Sequence, residues 1–199
     1  MRILLDNGHG MNTPGKRSPV WPDSPQLLEW RYTRELAGLI EQKLRQAFVP
    51  VQRIVPEYKD IPLWERCARV NKLSRNYGPS KCLLVSIHVN ASTTGNARGW
   101  EIHTSKGQTL SDLFSRYFWN EAKVLLPAVA PLRGDHSDGD PDWDSNFAIL
   151  RDTICPAVLT ENLFMDNQED CLFLLSEEGK AVLTDIHVNA IKKITNEFK

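Results

Sequence analysis

The amino-acid sequence predicts an α/β fold: a mostly parallel sheet sandwiched by helices, in one domain spanning residues 1–199. Two observations carry this expectation. Short runs of apolar and β-branched residues alternate with longer segments whose apolar residues recur every three or four positions, the spacings of strand and helix. With 199 residues, 41% hydrophobic and 25% charged, the chain can bury roughly 70% of the surface its unfolded form exposes. A core of that size needs no disulfide or structural metal to form.

The first run, Ile3-Leu4-Leu5, breaks off in the polar turn Asp6-Asn7-Gly8-His9-Gly10. Met11 to Pro25, dense in Pro, Gly, Ser and Asn, predicts a loop. Leu36, Leu39, Ile40 and Leu44 predict an amphipathic helix, and Val49 to Val55 a second strand. A helix over about Leu63 to Leu73 should begin just after Pro62, and it leads through the breaker Tyr77-Gly78-Pro79 into a strand from Cys82 to Ile87. Leu110, Leu113, Phe114 and Tyr117 predict another helix, Ala157 to Thr160 another strand, and Ile186, Ala190, Ile191 and Ile194 a closing helix. Arg133 to Asn146 is too rich in Gly, Asp and Pro for a regular element and predicts a second loop. Loops this long inside a compact domain usually carry function.

The net charge of −1, with basic residues spread among acidic ones, lacks the basic footprint of a nucleic-acid binder. Cys67, Cys82, Cys155 and Cys171 form no CxxC pair, which argues against a zinc ribbon or a thioredoxin-like site. Cys82 and Cys155 border apolar runs on what could be neighbouring strands, so a disulfide there is one option. The opening MRILLDNGHG has no apolar stretch long enough for an export signal, and no window approaches the ~18 apolar residues of a membrane span. A monomer without a membrane span is expected.

In an open α/β sheet ligands bind beyond the carboxyl ends of the strands. There the expected strands end in His9, in His88-Val89-Asn90 and in Glu161-Asn162. If these strands are parallel neighbours, two imidazoles and a carboxylate meet at one edge. Neutral imidazole suits zinc, and a catalytic zinc commonly takes two histidines and one carboxylate, leaving a fourth position open. Candidates for that carboxylate are Glu29, Glu35 and the aspartates of the second loop. Glu29 is favoured because it starts the helix beside the strand end, whereas Glu35 sits more than a turn further on. Glu161 suits the general base that hydrolysis needs. His187 falls in a helical pattern and His103 follows a strand-like segment, so both have weaker claims; His136, in the second loop, is a candidate for a substrate or metal role.

These residues form a familiar set. Asp6-Asn7-Gly8-His9-Gly10, Glu29 ahead of a helix, Ser86-Ile87-His88-Val89-Asn90-Ala91 and Thr160-Glu161-Asn162-Leu163-Phe164-Met165-Asp166-Asn167 resemble, in order, the motifs of the zinc-dependent N-acetylmuramoyl-L-alanine amidases. Leu63, Arg66 and Asn71 also fit, and Gly99-Trp100-Glu101 and Ile149-Leu150-Arg151 stand where that family has short strands. The resemblance implies a twisted six-stranded sheet and one zinc ion held by His9, Glu29 and His88, with Glu161 catalytic. It also implies peptidoglycan as substrate, cut between the lactyl group of N-acetylmuramic acid and L-alanine. Asn90, His136 and Arg151 are the expected substrate contacts. Asn7 stands where the family usually has Pro, and Asn162-Leu163 where it has a small or apolar residue and Gly. An open groove is expected, walled on one side by Gly134 to Asp144. A zinc peptidase cutting within the stem peptide, or a muropeptide-binding domain without activity, would share much of this pattern. A wall enzyme acting outside the cell and a phage-type lysin would both fit it.

Overall fold

In the computed structural model, which describes residues 1–22, 24–126 and 128–198, the apolar run at the N-terminus becomes β1 (Arg2–Asn7). It lies between β2 (Val51–Arg53) and β3 (Cys82–Asn90), parallel to both. Next to β3 runs β6 (Ala157–Phe164), also parallel. β4 (Glu101–Thr104) pairs antiparallel with β6, and β5 (Trp143–Asp144) pairs parallel with β4. The six strands are ordered β2-β1-β3-β6-β4-β5: four parallel strands followed by a reversed two-stranded edge.

Helices cover both faces, which is why β1 and β3 read as continuous apolar runs rather than as alternating ones. Ile3, Leu5, Leu83, Val85 and Val158 face α1 (Glu29–Gln46), α3 (Leu110–Leu125), α5 (Gln168–Leu175) and α6 (Glu177–Glu197). Leu4, Leu84, Ala157 and Leu159 face the other way, onto α2 (Leu63–Tyr77) and the one-turn α4 (Ala148–Arg151). Among the described residues no helix is long and apolar enough to cross a membrane, and all four cysteines are buried and unpaired, so Cys82 and Cys155 form no disulfide.

The structure departs from the sequence expectations in four places. The segment Ile149 to Arg151 is helical, not a strand; its turn lets Ile149 and Leu150 both drop onto the α2 side of the core, where alternation would expose one of them. The loop from Arg133 to Asn146 holds the two-residue strand β5, too short to show a period. On α3 the buried face is Phe114, Phe118 and Ala122 with Asp112 and Ser115, while Leu110 and Leu113 are exposed. Finally, β3 and β6 run on through His88 and Glu161 to Asn90 and Phe164. The polar residues there belong to strands whose neighbours Val89, Leu163 and Phe164 are buried.

Candidate active site

β6 carries one more residue than β3 between the pairs His88↔Glu161 and Asn90↔Phe164, a β-bulge of the kind that re-aims side chains. Leu163 absorbs it in the left-handed region, at φ 63°, where a glycine would be unstrained; its side chain is fully buried. Asn162 fastens the bulge: its amide donates to the carbonyl of His88 at 2.9 Å and to Thr160 Oγ1, and its Oδ1 accepts from Trp100 Nε1. The Asn-Leu departure from the usual motif therefore brings its own anchors.

At the end of β1, His9 is also left-handed, at φ 61°, a strained conformation that must be held by its surroundings. Buried Arg66 from α2 does much of this, donating to Asp6 Oδ1 and to the carbonyls of Asn7, His9 and Ile61, and to Asp60 Oδ1. Asp6 in turn accepts from Ser86 at 2.6 Å, and Thr33 of α1 donates to the carbonyl of Gly8. Gly8 is required for a steric reason: a Cβ there would lie 2.4 Å from the His88 ring.

These supports bring two imidazoles and a carboxylate together. The His9 and His88 rings meet edge to face with centroids 5.0 Å apart. Glu29, the first residue of α1, reaches both: its Oε1 is 3.1 Å from His88 Nδ1 and 3.4 Å from His9 Nε2, and it accepts from the Val89 amide. One donor atom from each of the three residues lies within 4.8 Å of the others. Burial opposes ionisation of Glu29, but the hydrogen bonds and charges of His88 and His9 prevail and hold it far below the usual carboxylate range. Its second oxygen is buried with no hydrogen-bond partner among the described residues. A two-imidazole, one-carboxylate set with an unpartnered oxygen fits a zinc-type cation. Glu35, the alternative carboxylate, faces away and pairs with Lys180.

Glu161 stands beside His88 on β6 with its Oε2 likewise buried and, among the described residues, unpartnered. Burial and, to a lesser degree, the carboxylates of Glu29 and Glu101 push it up to about 7, against the opposing charge of His88. It opens onto a cleft of about 350 Å³ lined by His9, Lys16, Leu63, His88, Phe147 and Glu161, with Asn146, Ala148 and Ile149 completing one wall. That wall is Asn146 to Ile149 rather than the expected stretch from Gly134 to Asp144.

The remaining candidates are placed elsewhere. Asn90 lies beside the bulge, but its amide is engaged by Glu101, which also accepts from Arg133. Arg151 is on the outer side of α4, bound to Asp152 and to the Asn146 side chain. His136 packs edge-on against Trp119 of α3 in a separate pocket, away from the cleft lining. His103 bonds Ser145, and His187 is a core residue between Thr160 and the Leu183 carbonyl. Sequence reasoning gave no role to Lys16, Phe147 or Glu101; only Glu101, a charged residue inside a strand-like run, left a signal.

A mostly parallel sheet with imidazoles and carboxylates gathered across the carboxyl ends of β1, β3 and β6 defines an α/β protein with a candidate metal centre at its strand ends. The family model described as N-acetylmuramoyl-L-alanine amidase matches residues 3–193, and the chain belongs to that family. It is 26% identical over 201 residues to the N-acetylmuramoyl-L-alanine amidase CwlM of Bacillus licheniformis, covering 100% of this chain and 70% of that protein. Over 115 residues, 57% of this chain and 40% of the other, it is 30% identical to an endolysin of Bacillus phage SPP1. The fold superposes on the N-acetylmuramoyl-L-alanine amidase of Clostridium difficile 630 with a TM-score of 0.82 at 23% identity, covering 100% and 98% of the two chains. For the catalytic domain of CwlV from Bacillus (Paenibacillus) polymyxa var. colistinus the TM-score is 0.77 at 22% identity, with both chains fully covered.

Proposed function

We propose that the chain is a zinc-dependent hydrolase that cleaves the amide bond between N-acetylmuramic acid and the L-alanine of the peptidoglycan stem peptide. His9, Glu29 and His88 hold the ion and Glu161 is the base. The observation that carries this reading is the convergence of those three donor atoms beside a buried carboxylate oxygen, unpartnered among the described residues, in an open cleft. Zinc, when bound, supplies Lewis acidity to the scissile carbonyl and to the attacking water. Glu161 takes the proton of that water as its oxygen adds to the carbonyl carbon, then returns it to the alanine nitrogen as the C–N bond breaks. Its raised proton affinity suits both halves of the exchange. Leu63, Phe147 and Ile149 give the cleft an apolar side, and Lys16 places a cation at its rim, suited to the carboxylates of a stem peptide. The site of action is the cell wall.

The reading is tested by mass spectrometry of digested peptidoglycan. Whole stem peptides with free L-alanine amino termini are expected; fragments cut inside the stem would replace the amidase by a zinc peptidase, and no release at all would leave a binding domain.

A further inference from the structure

A second cluster of acidic side chains lies outside the cleft. Asp112 on the buried face of α3 meets Asp140 and Asp142 from the chain leading into β5, with one oxygen of each within 4.8 Å of the others. The three residues are 4%, 2% and 3% exposed. Carboxylates buried this deeply need compensating charge or donors; Asp112 Oδ2 accepts from the Thr109 amide in the capping box that opens α3, but Asp140 is poorly supplied. Arg116, half exposed, approaches only Asp140 Oδ2, at 3.9 Å. Gln108 reaches the same oxygen at 3.4 Å. Asp140 Oδ1 is buried and has no hydrogen-bond partner among the described residues, although the Asp140 carboxyl touches that of Asp142. The Thr104 hydroxyl, with one proton, stands 2.9 Å from Asp112 Oδ1 and 2.6 Å from Asp142 Oδ2, and that of Ser115 is 2.5 Å from Asp142 Oδ1.

We propose that Asp112, Asp140 and Asp142, with the Thr104 hydroxyl, bind one Ca²⁺ ion that fastens the loop before β5 to α3 and to the end of β4. The donor set is all oxygen, which favours a hard cation over zinc. It is nearly closed to solvent, which disfavours Mg²⁺, an ion that keeps several waters. Asp140 and Asp142, two residues apart, offer oxygens to the cluster from one short stretch of chain.

The test uses the zinc-loaded chain, freed of calcium, and Tb³⁺ as a luminescent stand-in excited through tryptophan, since Trp143 adjoins Asp142. Sensitised Tb³⁺ emission is expected, displaced by Ca²⁺ and by Mg²⁺ only at far higher concentration. Saturating Ca²⁺ should raise the melting temperature by about 5 °C or more. Asp140→Asn should abolish both responses while zinc content and circular dichroism stay unchanged. Absent emission, a melting temperature indifferent to Ca²⁺, displacement by Mg²⁺ alone or an undiminished response in Asp140→Asn would each overturn the site. If Asp140→Asn fails to fold, Asp142→Asn is read in the same way. Stabilisation of calcium-free protein by Asp142→Asn, without any Ca²⁺ response in the wild type, would show a proton shared between two aspartates instead.

Discussion

The two carboxylate clusters differ in donor chemistry and in access. One joins two imidazoles to Glu29 at the open ends of parallel strands, with both histidines partly exposed to the cleft and Glu161 alongside. The other gathers three aspartates and a hydroxyl in a nearly sealed space between α3, the end of β4 and the chain into β5. Nitrogen donors, an open side and an adjacent carboxylate suit turnover. A closed all-oxygen set suits fastening a loop. Acidic residues alone do not distinguish the two; what surrounds them does.

The largest expected effects test the catalytic side of this contrast. His88→Ala and His9→Ala should lose zinc and all measurable hydrolysis, whereas Glu161→Gln should lower kcat by about 10²–10⁴-fold with zinc content intact. Metal analysis beside a peptidoglycan turbidity assay checks all three. A Glu161→Gln enzyme that still turns over would remove the base from the mechanism. Next comes the scaffold. Arg66→Ala strands the buried Asp6 carboxylate, 2.7 Å from the guanidinium, and should cost about 3–5 kcal/mol in chemical denaturation; a loss under 1 kcal/mol would mean that the His9 turn is held by something else.

A smaller effect comes from the core histidine. His187 is wholly buried and neutral, and burial depresses its pKa to about 4. Its contribution is therefore complete above the ordinary value near 6.5 and is lost as pH falls toward 4, removing up to about 3 kcal/mol. Unfolding titrations across that window should show the fall in the wild type and a flatter profile in His187→Gln. The smallest effect concerns Glu161. Removing one carboxylate that raises it, in Glu101→Gln, should shift the acid limb of kcat/KM downward in pH, by less than about one unit; an upward shift would contradict the electrostatic account.

Much of this was legible in the sequence, unevenly and for physical reasons. The strands β1, β3 and β6 are long and largely apolar on both faces, so their ends, and with them His9, His88 and Glu161, stand out. Glu29 could be preferred to Glu35 by adjacency alone; it lies against both imidazoles, whereas Glu35 pairs with Lys180. Of the reversed edge the strand-like run around Glu101 was visible, but β5, with two residues, was not, and α4, with one turn, was likewise too short for a period to register. The bulge at Leu163 was hidden because it is a property of pairing between strands, not of either strand. His136 lies in a pocket apart from the cleft, and the cleft wall is Asn146 to Ile149 rather than Gly134 to Asp144, because a polar loop shows no periodicity from which its fold could be read. Here Asp140 and Asp142 turn inward onto Asp112 and Ser115, polar residues on the face of α3 that packs into the protein.

A crystal structure with anomalous diffraction measured at the zinc edge tests the central assignment most directly. The account predicts a zinc peak within bonding distance of His9, Glu29 and His88, beside Glu161. A zinc peak among Asp112, Asp140 and Asp142, or one that leaves Glu29 unbound, would contradict it.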